Sequence, residues 1–169
     1  MSTTQMSDPR DLFLHELGDV LYAERTLVKA LPKLQEEASD EELAQGFADH
    51  LEETRQHVTN VEQAFKALGE QEKAEKCPGI EGIKKEHDEF VANQSPSQDV
   101  LDSFLTGAAA RTEHYEIAAY EGLVTMADAM GEDEVARLLS ENLEQEKTAL
   151  TKMQAIGKRL AKVGAKATA

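Results

Sequence analysis

The chain has 169 residues and a formal net charge of −15, with 33 Asp and Glu against 18 Lys and Arg. So acidic a surface opposes binding to nucleic acid or to an anionic membrane, and no stretch carries the ~20 apolar residues that a membrane span needs. Glu, Ala, Leu, Lys and Gln abound, Trp is absent, and Gly and Pro are sparse, which predicts an all-α fold in a single domain spanning residues 1–169.

The N-terminal MSTTQMSDPRD lacks the apolar run of a signal peptide, so the expected compartment is the cytoplasm. Ser7-Asp8-Pro9 then starts a helix. Phe13, Leu17, Val20, Leu27, Leu31 and Leu34 recur at three and four, predicting a first helix over about 9–37. Pro32 predicts a kink or break near Val28. Ser39, followed by Glu42 three residues on, reads as the capping box of a second helix over about 40–68. Its apolar stripe is Phe47, Leu51, Thr54, Val58, Val61, Phe65 and Leu68, with His50, Glu53 and His57 along one flank.

Between residues 69 and 97 the pattern weakens. Cys77-Pro78-Gly79 and Ser95-Pro96-Ser97 are breakers, and the lone Cys77 has no disulfide partner in the chain. A short helix around Ile80, Ile83, His87 and Phe90 fits between them. The segment reads as the long crossover of a ferritin-type antiparallel four-helix bundle. A third helix over about 98–130 ends at Gly131, and a fourth over about 132–163 carries Val135, Leu139, Leu143, Leu150 and Met153. The last dozen residues, KRLAKVGAKATA, form a basic helix end or tail.

Four carboxylates interrupt this apolar pattern. Glu24, Glu116 and Glu146 stand where the period asks for a core residue, and Glu53 flanks one. Each lies about fifteen residues from its hairpin turn, Ser39 or Gly131, hence roughly 21–23 Å along its helix. Packed hairpins would bring the four to one level. Glu113 joins one turn from Glu116, and His57 one turn from Glu53. So many buried carboxylates repel unless a cation sits among them, and a carboxylate-rich set with one or two His suits two ions of iron or manganese. His15, His87 and His114 lie off this level and read as surface or core histidines. Tyr115 and Tyr120 lie near it and read as packing residues.

DLFLHELGDVLYAER, HLEETRQHVTNVEQAF, RTEHYEIAAYEGL and ENLEQEKTAL resemble the YciE/YciF family of bacterial stress-associated proteins, over about Asp11 to Lys158. The resemblance implies a ferritin-like fold similar to the di-iron domain of rubrerythrin, and a homodimer. It implies metal ligands Glu24, Glu53, His57, Glu113, Glu116 and Glu146, with Glu53 and Glu146 bridging. Two departures stand out. Glu53 and His57 are four apart where the rubrerythrin pattern has Glu-x-x-His, and Glu146 is followed three on by Ala149 in place of the second His. Lys147 is available to neutralise charge there, and Glu144 is a second-choice ligand.

Two functions are therefore carried forward. One is a stress-associated dinuclear-metal protein handling iron, peroxide or oxygen, in the manner of a peroxidase, ferroxidase or catalase. The other is a non-catalytic helical dimerisation or partner-binding module whose buried carboxylates hold no metal.

Overall fold

Asp8 accepts a hydrogen bond from the Arg10 backbone N–H at 2.9 Å, and Pro9 follows it. The first helix thus begins where spare backbone donors find an acceptor and where a proline costs nothing. A computed structural model describes the backbone of residues 6–167 and side chains through residue 162. The described chain is all-helical, with α1 (Pro9–Glu37), α2 (Glu41–Ala67), α3 (Pro78–Gln94), α4 (Gln98–Met130) and α5 (Asp133–Ala167). Among these helices none is long and apolar enough to cross a membrane. Most of the basic C-terminal tail, from residue 163, lies outside the described side chains.

Of the kink or break expected near Val28, the break does not occur. α1 runs unbroken through Pro32, although the proline denies the Val28 carbonyl its usual partner. Leu27, Leu31 and Leu34 pack into the core on either side and hold the helix across the gap. The turn into α2 also differs from the capping box. Asp40 is the cap and accepts from the Leu43 N–H at 3.0 Å. Ser39 turns instead to Asp102 of α4, which accepts from the Ser39 N–H (2.9 Å), the Ser39 hydroxyl (2.6 Å) and the Asp40 N–H (3.0 Å). A side chain from more than sixty residues away thereby fastens the first hairpin.

The second hairpin closes at Gly131, whose φ of 73° belongs to the left-handed region. Glu132 N–H bonds back to the Ala127 carbonyl at 3.0 Å, so the end of α4 is a glycine-closed helix terminus. α1 packs on α2, α4 on α5, α2 against α5 and α1 against α4, while α3 lies against α4. The strap leading to α3 is laid tightly over α1. Glu75 N–H bonds to the Gly18 carbonyl at 3.0 Å, and a Cβ at residue 18 would collide with the Lys73 carbonyl. Cys77 caps α3 by accepting from the Ile80 N–H at 3.3 Å.

The apolar interior comes in two blocks. One gathers Phe13, Leu17, Val61, Phe65, Leu123 and Leu139; the other gathers Leu27, Phe47, Leu105, Met153 and Ile156. Burying each such side chain contributes roughly 1.5–3 kcal/mol. Between the blocks the four long helices turn polar groups inward.

Candidate metal centre

The polar layer is built from residues on apolar stripes. Glu24 on α1 and Glu146 on α5 are 0% exposed, Glu116 and Glu113 on α4 are 1% and 2% exposed, and His57 and His50 on α2 are 0% and 4%. Glu113 and Glu116 are three apart and share a helix face, as do His50 and His57 at seven. The packing of α1 on α2 and of α4 on α5 brings these faces together.

They form two groups that meet at one residue. Ligand atoms of His50, Glu113, Glu116 and Glu146 lie within 4.8 Å of one another, and so do those of Glu24, His57 and Glu146. Glu146 belongs to both. Its Oε1 is 2.9 Å from His57 Nδ1 and its Oε2 is 3.8 Å from His50 Nε2. His57 Nδ1 also stands 3.3 Å from Glu24, and His50 Nε2 stands 3.5 Å from Glu113.

Eight buried atoms in this layer have no aligned hydrogen-bond partner: Glu24 Oε2, His50 Nε2, His57 Nδ1, Glu113 Oε2 and both carboxylate oxygens of Glu116 and Glu146. Orphaned buried polar atoms are costly and rare, and here all eight belong to residues of the two groups. The outward atoms, by contrast, are held. His50 Nδ1 meets Glu53 at 3.2 Å and His57 Nε2 meets Gln145 at 2.8 Å. Tyr120 donates to Glu24, and Asn142 bonds to the Tyr120 oxygen (2.9 Å), the His57 carbonyl (3.3 Å) and Asn60 (2.7 Å). Glu24, His50 and His57 are thus each held by a partner while another of their atoms in the layer lacks one, as is usual around a metal ion.

Electrostatics sharpen the point. Burial pushes Glu24, Glu113 and Glu116 above the usual carboxylate range, and the neighbouring Glu146 charge adds to each shift. Burial pushes Glu146 up as well, yet the Glu113 carboxyl and the two histidines outweigh it and hold Glu146 at about 2. Burial would lower His57, but Glu24 and Glu146 raise it to about 10. Without a cation the cluster therefore keeps its protons, with one imidazolium between two acids.

Five of the six residues expected at this level, Glu24, His57, Glu113, Glu116 and Glu146, come together in the two groups. Glu53 lies outside both. Its side chain is 40% exposed and meets the layer at His50, which belongs to one of the groups in its stead. The signal was present, because His50 precedes His57 by two turns and so shares its face. Asn142 and Gln145 also support the layer, and no local pattern in the sequence marks them. Lys147 and Glu144 pair with each other at the exposed surface, at 2.9 Å. Tyr115 is separate from the layer, bonding to Asp19 and Cys77, both at 2.9 Å. His87 is a core histidine held by Glu37 at 2.8 Å.

Four long helices around a buried layer of acids and imidazoles, with α3 laid against α4, define a class of all-helical, carboxylate-centred proteins. A family model described as "Domain of unknown function (DUF892)" matches residues 8–166, and the chain belongs to that family. It is 38% identical to the protein YciF of Escherichia coli over 143 residues, covering 84% of this chain and 86% of that one. The crystal structure of the E. coli stress protein YciF matches with a TM-score of 0.88 at 36% identity, over 93% of this chain and 99% of that one. YcfI from Rhodopseudomonas palustris matches with a TM-score of 0.87 at 40% identity, over 91% and 98%. A Xanthomonas campestris protein, 22% identical over 93% and 95% of the chains with a TM-score of 0.72, shares the fold.

Proposed function

We propose that the chain is a ferritin-like four-helix bundle, crossed by α3, whose core holds two ions of iron or manganese. The carrying observation is the set of eight buried, unpartnered ligand atoms converging from all four long helices. Glu24 and His57 would hold one ion, His50, Glu113 and Glu116 the other, and Glu146 would bridge them. Oxygen donors with one imidazole per ion suit iron and manganese better than zinc or copper. Such a pair supplies redox chemistry toward iron, peroxide or oxygen. The chain's own residues keep water out and orient the ligands, with Glu53 and Gln145 steering the imidazoles and Tyr120 steering Glu24. A stress-related role is in keeping with the description of E. coli YciF as a stress protein, and a cytoplasmic homodimer is the working assembly.

Elemental analysis of untagged protein, beside Glu146→Ala and Glu116→Gln, tests the centre. About two equivalents of iron or manganese are expected in the wild type, with loss of both ions in Glu146→Ala. A wild type that takes up no metal even after anaerobic loading with ferrous iron, and whose melting is indifferent to chelator, would leave the metal-free module as the function. The absence of a His at position 149 is the feature that favours that second reading.

A further inference from the structure

A cavity of about 410 Å³ lies between α1, α3 and α4, and none of the layer's acids or imidazoles lines it. It runs along α1 from Tyr22 to Leu34, a distance of ~18 Å at helical rise. A volume of this size falls in the range of small-ligand sites, and the length suits an extended chain. Its floor is the α4 stripe of Leu105, Ala108 and Ala109, where two small side chains leave the room. Two of the three hydroxyls along it are already engaged. Tyr22 donates to Glu81 at 2.8 Å and Thr112 to the Ala108 carbonyl at 3.1 Å, so the inner surface offers mainly hydrocarbon.

The outer end is cationic. Lys29 and Lys33 follow one another on α1 and Lys84 faces them from α3. Lys33 and Lys84 share Asp88 at 3.1 and 3.0 Å, whereas Lys29 is exposed and makes no ion pair among the described residues. Glu81 and Asp88 also line the cavity and Lys33 pairs with Glu37 as well, so Lys29 is the cation left at this mouth for an anion. An anionic head and a single apolar tail complement the two ends.

We propose that this slot binds a free single-chain fatty carboxylate, head among the lysines and tail running inward toward Leu27 and Thr112. The proposal does not depend on the metal centre, because the two sites share no side chain. Isothermal titration of the full chain with dodecanoate, below its micellar concentration, tests it. One saturable site is expected, weakened roughly tenfold by Lys29→Glu, with dodecyltrimethylammonium binding at least about tenfold more weakly. Ala109→Leu should abolish uptake by filling the floor. If circular dichroism shows that variant unfolded, Lys29→Glu, an exposed substitution, decides alone. No saturable dodecanoate site, an affinity untouched by Lys29→Glu, or attachment to phosphatidylglycerol vesicles without uptake of free dodecanoate overturns the proposal. So does a Lys29→Glu variant that only shifts the sedimentation coefficient, which would make the slot a contact with a second copy.

Discussion

His50 and His57 stand two turns apart on α2 and present opposite ring nitrogens to the same centre. His50 offers Nε2 and His57 offers Nδ1, while the remaining nitrogens are tied to Glu53 and Gln145. A carboxylate or amide oxygen accepts, so in a metal-bound centre the outer nitrogen of each ring would keep its hydrogen and the inner one, freed of the proton that His57 carries in the metal-free cluster, would be left for a ligand bond. Removing a ligand and removing its support should therefore differ. His50→Ala is expected to lower the bound metal from two equivalents toward one, whereas Glu53→Ala keeps two sites and weakens retention about 10- to 100-fold. Metal counted after stepwise chelator dialysis distinguishes the two, and identical losses would contradict the assignment of Glu53 as a support.

The metal-free protein should grow less stable as pH rises from about 5 to 8. Glu24, Glu113 and Glu116 have folded pKa values above their unfolded value of 4.5, so the folded state binds more protons over that range. His57 acts in the same sense. Its contribution is complete below 6.5 and fades as pH rises through about 10. Glu146 acts in the opposite sense, with stability present above 4.5 and lost as pH falls through about 2, below the window in question. Urea midpoints in the presence of EDTA should fall across this range and flatten when metal is added. A midpoint rising with pH would contradict the buried cluster.

Tyr120 gives a test that leaves packing volume untouched. Its hydroxyl donates to Glu24 and accepts from Asn142. Tyr120→Phe strands both partners in a dry interior and should cost ~1–3 kcal/mol. Thermal melting of the metal-free form reads this directly, and a neutral result would mean that Glu24 finds its proton elsewhere.

Asp102 should prove as important to stability as a large core residue. It is 3% exposed and gathers three donors from the turn between α1 and α2. Asp102→Ala would leave those donors unmet and is expected to cost roughly 3 kcal/mol. Chemical denaturation checks it, and a loss below about 1 kcal/mol would show that water replaces the carboxylate.

The helices were readable because their signals are local. Pro9, Gly131 and the three–four spacing of leucines lie within a turn or two of the boundaries they mark, and the four long helices begin within a residue of their expected places, although α5 runs on to Ala167, four residues past its expected end. The carboxylate layer was readable too, since an acid on an apolar stripe is conspicuous and hairpin turns convert residue number into depth. Depth does not give azimuth, however. His50 and Glu53 lie three residues apart, about 60° around the helix, and the choice of which one points inward depends on how α2 rolls against α5. Ser39 and Asp102, or Asn60 and Asn142, find each other across more than sixty residues, and no local pattern announces such partners.

The division of the interior into two apolar blocks has a mechanical consequence. A bundle of long helices is ordinarily firmest at mid-length and loosest at its ends. Here the mid-length is a seam of mutually repelling groups, and the oily grip lies above and below it. Whatever occupies the seam, proton or metal ion, acts as the mortar between two courses of brick, and its removal should loosen the chain from the middle outward.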